Sequence, residues 1–378
     1  MYDYLIVGAG FSGCVLAERI ANELGKKCLL IDKRDHIGGN AYDYHNEYGI
    51  LIHKYGPHIF HTNSQKVVDY LSRFTKWNEY EHKVLALVDG KYIPVPFNLN
   101  SLHQIFRYEK AIHYEKLLLS NFGYGSKIPI LQLRNSPNPE IVELAEFIYQ
   151  KIFLNYTLKQ WDLEPEDLDA AVTARVPVLV SHDDRYFQDS FQSMPRDGYS
   201  EMFQNMVGNN PNIDIALNAD YKSMSTTAEF NKLIYTGPID EYFDYTYGPL
   251  PYRSLRFEHE TYDYEYFQPT GTVNFPNNFD YTRRTEMKYL TFERCSKSTC
   301  MVEYPQPYII GENEPYYPIP QSFNNDLYNK YARAAEKIAN TVTFCGRLAD
   351  YKYYNMDQVV ARALHIFESK ISANEASR

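Results

Sequence analysis

A chain of 378 residues, 44% hydrophobic and 23% charged, is too long for one compact core and too apolar for disorder, so two or three domains around a shared cleft are expected. The 38 Lys+Arg against 48 Asp+Glu leave a net charge of -10, which argues against nucleic acid as a partner and requires local arginines for any anionic ligand. No apolar run approaches the roughly 20 residues of a membrane span, and Met1 leads almost directly into an apolar strand; the expected location is the cytoplasm. Cys14, Cys28, Cys295, Cys300 and Cys345 lack paired spacing, so neither a disulfide framework nor a metal site is expected. The 36 tyrosines suit clefts that are apolar in body and polar at the tip, as sugar and nucleotide sites are.

Residues 2–7 read as a buried strand running into Gly8-Ala9-Gly10-Phe11-Ser12-Gly13, residues 14–24 as a helix, and residues 27–31 as a second strand ending at Asp32. This is a GxGxxG turn between strand and helix, with an acid at the distance where it meets ribose hydroxyls. One glycine makes the turn, one admits pyrophosphate to the backbone, and one lets helix pack on strand. The helix N-terminus then offers oriented N–H groups to phosphate. Lys33-Arg34-Asp35-His36-Ile37-Gly38-Gly39-Asn40 follows and resembles the extension found in FAD-binding amine-oxidase-like flavoproteins. Gly38-Gly39 would lie close to a second phosphate and Arg34 would contact the pyrophosphate or brace the loop, so FAD is expected over NAD.

Further along, the pattern predicts a short helix over 66–74, a hairpin over 83–95 turning at Asp89-Gly90, and helices from about 102 to 161 interrupted at 123–138. Strand-like alternation fills about 241–303; residues 342–347 read as a strand leading to Gly346, and 356–369 as an amphipathic helix. His53, His58 and His61 lie close in sequence, but no cysteine or paired carboxylate completes a metal set.

Several stretches occur in one order along the chain: His36-Ile-Gly-Gly-Asn40, Tyr55-Gly-Pro-His-Ile-Phe-His-Thr62, Tyr156-Thr-Leu-Lys-Gln-Trp161, Arg175-Val-Pro-Val178, Asp184-Arg-Tyr-Phe187, Tyr252-Arg-Ser-Leu255, Tyr281-Thr-Arg283, Glu314-Pro-Tyr-Tyr-Pro318 and Gly346 through Asp357. Together they resemble the flavin-dependent UDP-galactopyranose mutases of bacterial galactofuranose biosynthesis, from Tyr2 to about Ser369. The resemblance implies an α/β fold in which a Rossmann-like FAD-binding domain (1–65, 200–240 and 310–378) carries an inserted helical bundle (98–172, with the start of a mobile lid). An antiparallel β-sheet domain (66–97, 173–199 and 241–309) completes it.

It also implies an isomerase that needs reduced flavin: FAD N5 attacks the anomeric carbon of UDP-galactopyranose and displaces UDP, and the sugar recloses as the furanose before UDP returns. The nucleophile then belongs to the cofactor, as the lack of a Ser-His-Asp or Cys-His set suggests. By position, Arg175 on the lid and Arg283 on a fixed wall are the diphosphate arginines, chosen for a permanently charged planar fork. Tyr186, Tyr317 and Tyr353 contact the diphosphate; Tyr156, Thr157 and Trp161 hold the nucleotide; Arg253 and Asn274 belong to the substrate cleft. Gly8, Gly10, Phe11, Ser12, Gly13, Asp32, Lys33, Arg34, Gly39, Asn40, His58, Ile59, Arg347, Asn355 and Met356 bind the cofactor, His58 also facing the sugar, while His61 reads as structural. The reductant is NAD(P)H or another external donor, and a homodimer is the expected assembly.

Asn355, Met287, Asn155 and His82 stand where members commonly carry aspartate, histidine, glycine and asparagine. They leave open a mutase for UDP-N-acetylgalactosamine or dTDP-fucose. An amine-oxidase-type oxidoreductase would share the first forty residues but has no need of Arg175 and Arg283.

Overall fold

The computed structural model describes residues 1–169, 174, 176–319 and 321–373. Tyr2–Val7 and Cys28–Ile31 pair in parallel at the centre of a five-stranded sheet, flanked by Ile213–Ala216 on one side and Phe230–Tyr235 and Val342–Phe344 on the other. Cys28–Ile31 is buried throughout, as a parallel strand covered on both faces must be. The helix Phe11–Leu24 starts three residues before the sequence reading placed it, because Gly13 is a helical residue. The helix crosses the sheet beside Met356–Ile366, and their shared core includes Val15, Leu16, Ile20, Val360 and Leu364. Each such fully buried aliphatic contributes about 1.5 to 3 kcal/mol.

A seven-stranded sheet forms the second body, in the order Tyr317–Pro318, Tyr252–Tyr262, Ser298–Pro307, Arg283–Glu286, Thr272–Asn274, Val84–Val88 and Lys91–Val95. The expected hairpin turns at Asp89 and Gly90, both with positive φ. The sheet is not wholly antiparallel: Thr272–Asn274 runs parallel to Val84–Val88, which the long excursion between residues 88 and 272 permits. That excursion holds the helices Leu99–Ile105, Tyr108–Phe122, Ile130–Arg134 and Pro139–Ile148, whose core contains Leu102, Leu118, Ile141 and Leu144. Ile130–Arg134 lies inside the segment read from sequence as an interruption. Pro139–Ile148 continues through a wide π turn at Tyr149–Phe153 into Leu154–Trp161. The wide turn resets the helix face so that Tyr156 and Trp161 meet the sheet.

Candidate active site

A cavity of about 580 Å³ opens at the carboxyl ends of the parallel strands, where open α/β sheets bind ligands. Gly8, Gly10, Phe11 and Ser12 line it, as do Asp32, Lys33, Arg34, Gly39, Asn40, His58, Arg347 and Met356. The glycines fit a dinucleotide. A Cβ on Gly10 would meet nothing nearer than Gly39 Cα at 3.7 Å, which leaves an open cradle, and the helix that starts there has no side-chain cap to occupy its first N–H groups. Gly8 has φ +99°, and a Cβ there would lie 2.0 Å from Thr236 Oγ1; on Gly13 it would lie 1.9 Å from the Gly8 carbonyl oxygen. Gly13 therefore acts through packing and is not part of the lining.

Asp32 Oδ2 accepts from the Ala9 amide at 2.8 Å and Oδ1 from the Arg34 amide at 3.0 Å, so the strand-end acid also holds the glycine turn. Arg34 pairs with Glu314 at 3.1 Å and lies over the Tyr55 ring, 4.3 Å from its centroid. It braces the loop, the second of the two roles its position allowed. Ile59 packs on the first core instead of lining the cavity. Asn355 is the N-cap of Met356–Ile366 in a reciprocal capping box with Gln358. Thr236, Tyr221, Tyr242 and Gly346 line the cavity and were missed; the signal for two of them was a strand ending in Thr236-Gly237 and another ending before Gly346.

His58 donates from Nδ1 to the Gly56 carbonyl at 2.7 Å, and its amide donates to His53 Nδ1 at 3.0 Å. Burial, with His53 beside it, pushes the His58 imidazole down to about 3. It is a neutral ring with Nε2 left over at the cavity edge. His61 is held by Asp189 at 2.8 Å and stacks on Phe187.

The second part of the site lies across Arg347, whose guanidinium carbon sits 5.7 Å from the Tyr317 ring and 5.9 Å from the Tyr353 ring. Those rings pack edge to face at 5.0 Å, and Trp161 contacts both. Strand register places Glu303 opposite Arg283 and Arg283 opposite Asn274, a row of three polar residues across the sheet. Arg283 Nη2 pairs with Oε1 of the buried Glu303 at 2.9 Å, yet Arg283 Nε and Glu303 Oε2 have no hydrogen-bond partner. Burial opposes the charge on Arg283, but Glu303, Tyr156 and Tyr317 keep it a cation. Buried polar atoms without partners are costly, so this row is poised for a ligand. Glu303 was missed because nothing in the local sequence marks it.

Tyr186 packs on His82 and Phe187, and burial raises the Tyr156 and Tyr317 phenols well above their usual value, so they are donors at neutral pH. Thr157 lies on the same helix as Tyr156. Arg253, expected in the substrate cleft, is only 7% exposed and donates from Nε to the Gln160 carbonyl at 3.0 Å and from Nη2 to the Lys159 carbonyl at 3.3 Å, capping the helix that carries Tyr156. Its donors serve that helix end, whose orphan carbonyls need them. Arg175 lies outside the described residues.

The fold and site define a dinucleotide-dependent enzyme with a cationic, tyrosine-walled cleft, and residues 6–74 match the NAD(P)-binding Rossmann-like domain model. Residues 151–353 match the UDP-galactopyranose mutase model. A probable UDP-galactopyranose mutase of Klebsiella pneumoniae is 37% identical, the match spanning 98% of this chain and 95% of that protein. A dTDP-fucopyranose mutase of Escherichia coli is 33% identical over 99% of this chain and 100% of that protein. The crystal structure of a reduced UDP-galactopyranose mutase superposes with a TM-score of 0.73 at 17% identity, covering 99% of this chain and 94% of that one. The chain belongs to the UDP-galactopyranose mutase family, a family of isomerases. Among the described residues no helix is long and apolar enough to cross a membrane.

Proposed function

We propose that this enzyme interconverts UDP-galactopyranose and UDP-galactofuranose with reduced FAD as cofactor. The observation that carries the reading is Arg283, with an unspent Nε, beside Glu303 and among Tyr156, Tyr317 and Tyr353, one arginine away from the dinucleotide cavity. Bound reduced FAD would supply N5 as a nucleophile toward the anomeric carbon, an external donor such as NAD(P)H keeping it reduced. The chain's own residues then position and stabilise. Arg283 holds the diphosphate where negative charge grows as the anomeric carbon–oxygen bond breaks, a preorganised charge of the kind that lowers barriers most. Glu303 keeps the guanidinium aligned, and Tyr186, Tyr317 and Tyr353 donate to phosphate oxygens. Tyr156, Thr157 and Trp161 hold the nucleotide, and His58 stays neutral at the edge of the cofactor cavity.

A second reading, turnover of dTDP-fucopyranose, is favoured by the E. coli relative, which matches over its full length. Dithionite-reduced enzyme incubated separately with UDP-galactopyranose, UDP-N-acetylgalactosamine and dTDP-fucopyranose distinguishes them by chromatography of furanose products. Conversion of the galactose nucleotide by reduced but not oxidised enzyme is expected. Stoichiometric consumption of oxygen without a furanose product would mark an oxidase and sink the proposal.

A further inference from the structure

The wide turn Tyr149–Phe153 and the helix after it, which carries Tyr156 and Trp161, present Lys151, Asn155 and Lys159, four residues apart, to the loop 275–281. Asn155 Nδ2 donates to Asn277 Oδ1 at 2.7 Å, and Asn277 Nδ2 donates to the Lys151 carbonyl at 2.9 Å. The Lys159 ammonium donates to the Phe275 carbonyl, to that of Phe279 at 3.1 Å and to that of Tyr281 at 3.0 Å. An ammonium has three N–H donors, and all three are spent on this one loop. The loop joins Asn274 to Arg283, two members of the polar row across the sheet. At the other end of the lysine, Arg253 holds the Lys159 and Gln160 carbonyls and lies 3.9 Å from Asp162.

We propose that Lys159 is a positioning residue: its ammonium clasps the loop leading to Arg283 against the helix bearing Tyr156 and Trp161, so that nucleotide and diphosphate subsites keep register only while Lys159 is charged. The inference rests on the reading above that Arg283 anchors the diphosphate. A neutral amine has two N–H groups and opens one arm of a three-armed clasp. The loop's Asp280 favours the charged form, but burial dominates and pushes the ammonium down to about 8. The sign follows: the folded-state value lies below that of a free lysine, so the proton and the clasp are lost as pH rises through about 8.

The test uses FAD-loaded, dithionite-reduced enzyme with UDP-galactopyranose from pH 6 to 10, and UDP titration of the oxidised holoenzyme at pH 7. Wild type should show an alkaline fall in kcat/KM centred near 8. Lys159→Arg, whose charge does not titrate in this range, should show no such fall at whatever activity it keeps. Lys159→Met should lose on the order of 10- to 100-fold in kcat/KM at pH 7, the scale of a small misplacement of catalytic groups. It should weaken UDP binding at unchanged FAD content. A Lys159→Arg enzyme with the wild-type fall near 8, or a Lys159→Met enzyme with wild-type kcat/KM and UDP affinity, overturns the proposal while leaving the function intact. Failure of the wild type itself to bind UDP or form a furanose overturns the functional reading and this one with it.

Discussion

The cofactor cavity and the proposed nucleotide-sugar cleft are built on opposite plans. The first is made largely from backbone: consecutive residues of a turn, a helix N-terminus with its N–H groups unspent, and glycines whose missing Cβ atoms leave room for phosphates. The second is made from side chains delivered by distant segments, with Arg283 and Glu303 from neighbouring strands, Tyr156 and Trp161 from a helix, and Tyr317 and Tyr353 from the returning chain. A backbone site fails where atoms collide, and a side-chain site fails where charge or a donor is removed. Mutations in the two regions should therefore divide cleanly between lost cofactor and lost turnover.

Among single substitutions, the largest effect should come from Gly13→Ala. A Cβ 1.9 Å from the Gly8 carbonyl cannot be accommodated without moving helix from strand. We expect a loss of about 3 kcal/mol or more of stability, on the scale of severe overpacking, with FAD absent from the purified protein. Absorbance at the flavin band and a thermal melt check both. A yellow Gly13→Ala enzyme of normal Tm would show that the cavity does not depend on this backbone contact.

Acid should strike both regions at once. Burial holds His53 at about 4, His58 at about 3 and His82 at about 3, against an ordinary 6.5. Below about 6.5 the unfolded chain takes up protons that the folded chain refuses, so stability falls as pH falls. Asp240, lifted to about 6 by burial, acts oppositely and offsets part of one histidine. The net loss between pH 7 and 5 should be roughly 4 to 6 kcal/mol, a fall in Tm on the order of 5 °C for a chain of this length. Replacing His82 by glutamine should flatten the acid side of the Tm profile; an unchanged slope would show that the ring is protonated when folded.

Arg283→Ala comes next and belongs to the cleft alone. Removing one charge-assisted anchor and leaving Glu303 buried without a counterion should cost about 2 to 4 kcal/mol in kcat/KM, roughly 30- to 1,000-fold. FAD content should stay normal. Lysine keeps the charge but not the fork and should rescue only in part. If the alanine variant instead loses FAD, the division between the two regions is wrong.

The same contrast explains what could be read in advance. The glycine turn, its helix and Asp32 are contiguous and have one physical solution, so strand, helix and cavity lining follow from spacing. Arg283 and the tyrosines were legible only through a family resemblance, since no local pattern distinguishes one of 36 tyrosines from another. Glu303 and Lys159 were not read as site residues, because their roles exist only once Ser298–Pro307 pairs with Arg283–Glu286 and the helix meets the loop 275–281. Arg253, expected in the substrate cleft, spends Nε and Nη2 on helix carbonyls, which the resemblance did not indicate. A sequence motif places a residue near a site without saying which way its donors point.

The smallest effect is expected at Asn355, where members of the family commonly carry aspartate. In this chain the side chain accepts from the backbone of the third residue of Met356–Ile366, while Gln358 accepts from the Asn355 amide. Aspartate caps helices as well as asparagine does, and a negative charge at a helix N-terminus is favourable by about 0.3 to 1 kcal/mol. Asn355→Asp should therefore shift Tm upward by roughly 1 °C for a protein of this size. Because the residue does not line the cofactor cavity, FAD content and kcat/KM should change by less than about threefold, within 1 kcal/mol. Melting curves and steady-state kinetics on the reduced variant decide it. A change of tenfold or more in kcat/KM with Tm unmoved would mean that position 355 acts on the reaction through its charge. The cofactor side would then rest on a side chain after all, and the contrast between the two regions would have to be redrawn.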